Sequence, residues 1–192
     1  MASLEERLDM VERKIKDSQF RENKGLGNEV GYYVFDYPAD KELQIRERIN
    51  YMKSKNQKGS DGFELMVFDL YDMMIDMLEN EGILDANFTF EKEEGLSTVV
   101  EEIGNALRFD DKENYIINKI SEETPDDAVV FLIGVGKCFP ILRSHKILNN
   151  LHQVLDRIPV VMFFPGKYDG QELVLFGEIK DDNYYRAFKL VD

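Results

Sequence analysis

Apolar positions along this chain change period several times, and the changes divide it into alternating helices and strands. Leu4, Leu8, Val11 and Ile15 form one helical stripe, and Ser3 and Glu6 have the spacing at which each side chain satisfies a backbone N–H of the first turn. This helix either packs on the rest of the chain or offers its stripe to a partner helix. After the break NKGLGN, residues 31–37 are rich in Tyr, Val and Phe, which predicts a strand closed by Pro38. Asp40 is placed to cap a following helix with Ile45, Ile49 and Met52 on its buried face. The polar loop SKNQKGSDG leads to a second strand at 63–70 and directly to a helix at about 71–81. There Met73, Met74, Met77 and Leu78 face inward, as core or as an adaptable Met-rich surface. Helices are predicted again over 96–107 and 115–120, with the charged turn FDDKEN between them.

The C-terminal half carries apolar runs at 128–133 and 160–164 on either side of a predicted helix at 141–156. A strand, a crossover helix and a strand form a parallel pair of fixed hand. Repetition of the unit predicts an α/β fold: a mainly parallel, three-layer, Rossmann-like sheet with helices on both faces. The YDG turn after the last run is too short for a parallel return, so 174–179 should be an antiparallel neighbour. The terminal DDNYYRAFKLVD is then a last edge strand or a docked tail. The expected organisation is one domain over 1–192, with the N-terminal helix within 1–20 and an acidic helical insertion at 82–126.

Charge narrows the function. The 192 residues carry a formal charge of −14, and residues 76–127 hold sixteen acids against four bases, nearly the whole excess. Such a field repels phosphates, so direct nucleic-acid binding is disfavoured; the acidic face is either solvated or docks a basic partner. The single cysteine, Cys138, excludes an intrachain disulfide and a multi-cysteine zinc site. No signal-peptide pattern opens the chain and no run reaches the roughly 18 apolar residues of a membrane span, so a cytoplasmic protein is expected.

If the four strands are parallel, Asp36, Asp69, Gly134 to Lys137 and Pro165 to Asp169 gather at one edge of the sheet. Asp36, Asp69, Asp72 and Asp169 could there hold Mg²⁺ through oxygen ligands, or could simply cap loops. The GVGK segment falls short of a phosphate-binding loop: Phe131 stands where the first glycine would, five before Gly136, and Cys138 replaces the hydroxyl residue. His145 and His152 are seven apart, roughly 10 Å along a helix, too far to share a metal unaided. They share a face with Asn149 and Asp156. Asn149 and Asn150 in mid-helix cost a few tenths of a kcal/mol each, which points to specific hydrogen bonding, either within the fold or to a partner. Cys138 reads as a buried thiol or as a nucleophile whose base would be His145.

Four long phrases carry a resemblance: GNEVGYYVFDYP (27–38), FLIGVGKCFPILRSHKILNNL (131–151), IPVVMFFPGKYDGQELVLFG (158–177) and DDNYYRAFKL (181–190). They resemble the BrxB family of bacterial BREX phage-defence systems, over nearly the whole chain. The resemblance implies an accessory, non-enzymatic subunit without a cofactor or a bound metal, working with other BREX proteins and above all with the PglZ-type protein. It carries over no catalytic residues. Arg143, Ser144, His145, Asn149, Asn150, Asp169, Gly170, Asn183, Tyr184 and Arg186 fall in the matching phrases, and the interface candidates are Arg143, His145, Asn149, Asn150, Asp169, Tyr184, Tyr185 and Arg186. The alternative is a nucleotide- or metal-dependent enzyme with a degenerate NTPase-like site at the carboxyl edge of the strands.

Overall fold

Each central strand buries both of its faces, which is why the strands read as continuous apolar runs rather than alternating ones. In a computed structural model that describes residues 2–22, 31–57, 62–108, 114–181 and 187–191, β1 (Tyr32–Tyr37), β2 (Glu64–Asp69), β3 (Ala128–Ile133) and β4 (Val160–Tyr168) form a parallel sheet in the order β2-β3-β4-β1. The register pairs Asp36 with Phe164 and Asp69 with Ile133. Tyr32, Val34, Val130, Leu132, Val160 and Met162 point to one face; Tyr33, Phe35, Val129, Phe131, Val161 and Phe163 point to the other. On the second face Phe163 sits between Phe35 and Phe131, with ring centroids 5.3 and 4.8 Å apart.

Helices cover both faces, as the alternation predicts. Helix α1 (Leu4–Lys16), the short α2 (Ser18–Arg21) and α3 (Glu42–Lys55) precede β2. The stripe of α1 packs on the sheet beside Ile45, Ile49 and Met52 of α3, so its partner is the chain itself. Its capping box is present: Glu6 N–H donates to Ser3 Oγ at 3.2 Å, and Ser3 N–H to Glu6 Oε2 at 2.7 Å. The opposite face holds α4 (Leu70–Asn80), α5 (Leu84–Glu94), α6 (Leu96–Ala106), α7 (Tyr115–Glu123), α8 (Val135–Cys138) and α9 (Ser144–Leu151). The four inward residues of α4 are buried as core, not as a Met-rich surface.

The last segments resolve as strands. β5 (Leu173–Leu175) pairs antiparallel with the end of β4, and β6 (Ile179–Asp181) pairs with β5. β7 (Phe188–Lys189) lies parallel to β1, and Leu190 N–H donates to Val34 O at 2.9 Å. The tail is an edge strand, tied to α1 by Lys14 on Leu190 O and by Arg7 on Val191 O.

Three expectations need correction. The helix expected at 141–156 is shorter at both ends: residues 141–143 continue the turn that follows Pro140, and α9 spans the eight residues Ser144–Leu151 before a further turn at 152–154. Asp40 does not cap α3; it lies in a 3₁₀ turn, and the N-cap position of α3 is Lys41, which makes no side-chain cap bond. Helix α5 was not expected at all, because only Asn87 of it is buried and no apolar stripe marks it. Within FDDKEN only Asn114 is described; it caps α7 by accepting from Ile117 N–H at 3.2 Å. Asn183, Tyr184, Tyr185 and Arg186 lie outside the described residues. Among those described, no helix is long and apolar enough to cross a membrane.

Candidate functional site

The parallel sheet does bring the four strand ends to one edge, but the strand order separates their carboxylates. Asp36 on β1 and Asp69 on β2 lie three strands apart, roughly 14 Å at about 4.8 Å per strand, too far for one ion. Each is committed to its own partners. Asp36, 13% exposed, accepts from Arg7 Nη2 at 2.6 Å and from Tyr168 N–H at 3.1 Å, with Lys189 Nζ at 4.0 Å. It therefore joins α1, β1, β4 and the terminal strand.

Asp69 works differently. Its Oδ1 accepts from the N–H groups of Tyr71 at 3.0 Å and Asp72 at 3.3 Å, capping α4, while its Oδ2 takes Lys137 Nζ at 2.6 Å. Lys137 also reaches Asp72 at 3.4 Å and lies 5.0 Å from the centre of the Tyr71 ring. Asp169 stands apart in an exposed turn, where the N–H groups of Glu172 and Gln171 hold its carboxyl below the usual range. The four carboxylates thus form three separate arrangements, and no group of three or more His, Cys, Asp or Glu able to hold a metal occurs among the described residues.

The GVGK glycines are explained by packing. Gly134 has φ +79°, and a Cβ there would lie 2.3 Å from Asp69 Oδ1. A Cβ on Gly136 would meet the Phe176 ring at 2.8 Å and Pro165 at 3.0 Å. The loop is filled by the carboxylate and the ring where a phosphate-binding loop would be open. Cys138 is buried beneath it, and burial, reinforced by the Asp69 carboxylate, pushes its thiol up to about 12. A thiol near pH 7 in this state is a poor nucleophile. We expect Ellman's reagent to leave Cys138 unmodified in the native protein and to titrate it fully in denaturant. A thiol harder to ionise folded than unfolded stabilises below its unfolded pKa of about 8.5 and loses that contribution as pH rises toward 12. Burial acts in the same direction on Tyr32 and Tyr37. The urea midpoint should accordingly decline above about pH 9.

The second cluster of expected residues lies around α9. Arg143 and Asn149 are exposed, whereas His145 and Asn150 are half-buried and have partners within the structure. His152 packs its ring 4.9 Å from that of Tyr32, whose hydroxyl donates to Leu155 O at 3.0 Å, so this histidine serves packing. Arg143 occupies the N-cap of α9 without a side-chain cap bond. With Ser144 and Lys180 it edges a cavity of about 170 Å³ floored by Leu142, Phe164 and Leu175. Ser144 was expected only as part of the matching phrase and Lys180 was missed. The usable signal was a basic residue at the N-cap with serine one position late, against the usual preference.

The acidic helices present Glu101 and Glu102 to solvent on α6. If this face docks a basic partner, Glu101→Gln with Glu102→Gln should weaken association several-fold at low salt and flatten its salt dependence. An unchanged salt slope in a binding titration would make it a solvated face only.

Known proteins extend this picture. A family model described as BREX protein BrxB matches residues 66–190, more than half of the chain. The BREX protein BrxB of Bacillus cereus (strain H3081.97) is 50% identical over 192 residues, covering 100% of both chains. The BREX protein BrxB of Escherichia coli O9:H4 (strain HS) is 34% identical over 188 residues, covering 98% of this chain and 92% of the relative. No solved structure matches. On a family match of this extent and relatives that align end to end, the chain belongs to the BrxB family of BREX proteins.

Proposed function

We propose that the chain is a cytoplasmic, non-enzymatic adaptor of a BREX phage-defence complex, a single α/β domain that binds the PglZ-type protein. The observation that carries the reading is the committed state of the strand edge. Asp36 is engaged by Arg7 and Tyr168, Asp69 by Lys137 and the start of α4, and the space beside Gly136 by Phe176. Groups arranged this way spend their hydrogen-bonding capacity holding the fold together, leaving little with which to hold a nucleotide or polarise a substrate. What the chain offers outward is surface: the acidic helices, Arg143 and Asn149 of α9, and Asp169 in its turn. With Tyr184, Tyr185 and Arg186 these are the residue types that anchor interfaces, Arg and Tyr above all.

The test measures binding and stability together. Arg143→Ala and Tyr184→Ala are expected to weaken binding to the PglZ-type protein by roughly 2 kcal/mol each while the melting temperature stays within a degree or two. Lower melting temperatures with unchanged binding per folded molecule would assign both residues to the fold and refute the interface.

A further inference from the structure

From the cavity beside α9 we infer a site for an apolar residue that carries a free carboxylate, namely the C-terminal residue of a partner polypeptide. The floor is apolar: Leu142, Phe164 and Leu175 are 3, 2 and 6% exposed. The rim is polar and cationic, with Arg143 and Lys180 from separate elements, α9 and β6. Ser144 lies between floor and rim. It is 8% exposed and lines the cavity. A serine hydroxyl lining a cavity is placed to donate to an acceptor bound there.

The start of α9 reinforces this. Serine would cap the helix one position earlier; instead Arg143 takes that place, and a cation joins the positive end of the helix. The arrangement is unfavourable for the helix alone and favourable with an anion bound, since backbone N–H groups, a hydroxyl and a guanidinium then converge on it. Lys180 is shared with Glu172 at 3.3 Å, but both are well exposed and the pair is readily exchanged.

Size selects the occupant. At about 170 Å³ the cavity is smaller than the roughly 300–1,000 Å³ of pockets for drug-sized ligands, which leaves room for one large side chain and not for a nucleotide. An apolar side chain on the floor, with its own α-carboxylate at the rim, satisfies both halves and repeats a known mode of terminus capture. The chain's own tail is engaged elsewhere, against α1 and β1. That the occupant is a polypeptide rests on the adaptor reading; the site itself rests on the cavity.

The experiment titrates the isolated full-length protein with a six-residue peptide ending in phenylalanine, as the free acid and as the C-terminal amide, and with N-acetylphenylalanine. The free acid should bind at least tenfold more tightly than the amide, and at least as tightly as N-acetylphenylalanine. Arg143→Glu and Ser144→Ala should each lower its affinity fivefold or more, with unfolding midpoints near wild type. Equal affinity for acid and amide, no binding of either peptide, or binding of N-acetylphenylalanine alone would overturn the proposal. Since complex formation with the PglZ-type protein is measured separately, loss of one reading leaves the other standing.

Discussion

Replacing Asp36 by alanine is expected to lower the free energy of unfolding by about 3 kcal/mol, because it leaves Arg7 without its carboxylate and the Tyr168 N–H without its acceptor in a largely enclosed place. Side-chain exposures of 15% for Arg7 and 13% for Asp36 mean that water compensates only partly. Arg7 already has one buried nitrogen, Nε, without a partner, so its guanidinium depends on Asp36 and on Val191 O. The terminal strand should loosen with the substitution, since Arg7 also holds its backbone. Urea denaturation checks the magnitude, and hydrogen exchange at Leu190 checks the coupling. Asp36→Asn, which retains an acceptor for the Tyr168 N–H, should cost less than half as much. A destabilisation below about 0.5 kcal/mol would mean that Asp36 is not a structural tie, and would revive a catalytic reading of the strand edge.

Gly134→Ala should have an effect of similar size. At φ +79° an L-residue is strained by about 1–2 kcal/mol. The added methyl would also fall 2.3 Å from Asp69 Oδ1, displacing the carboxylate that caps α4 and binds Lys137. Loss of a cap adds about 1 kcal/mol, so a total near 3 kcal/mol is expected. Gly136→Ala should cost less, because the Phe176 ring in its way is 44% exposed and can move. Paired unfolding curves for the two variants decide it. If Gly136→Ala proved the more damaging, the packing account of this loop would be wrong.

These residues also show what could be read from the sequence. Strand positions and the α/β class follow from apolar runs that a doubly covered parallel sheet requires, and Val129 to Phe131 or Val160 to Phe164 leave little choice. The edge carrying Asp36, Asp69 and Lys137 was legible for the same reason, since parallel strands put all their carboxyl ends together. Which of these residues meet was not legible. The order β2-β3-β4-β1 is a non-local property, and it alone places Asp36 and Asp69 three strands apart. The role of Gly136 depended on Phe176, forty residues away, and that of Asp36 on Arg7 and Tyr168, which no local spacing relates to it. Helix α5 escaped notice because its exposed surface carries no period, while Ile141, Leu142, Val154 and Leu155 extend the apolar pattern of α9 beyond both of its ends.

The most direct test of the adaptor account is co-purification of the tagged chain with the PglZ-type protein, combined with assays of the chain alone for ATP and DNA hydrolysis. The account predicts a stable complex with the PglZ-type protein that survives Lys137→Ala whenever that variant folds, and no turnover by the isolated chain. Turnover of ATP or DNA by the isolated chain that Lys137→Ala abolishes without changing the unfolding midpoint, together with no association with the PglZ-type protein, would contradict it.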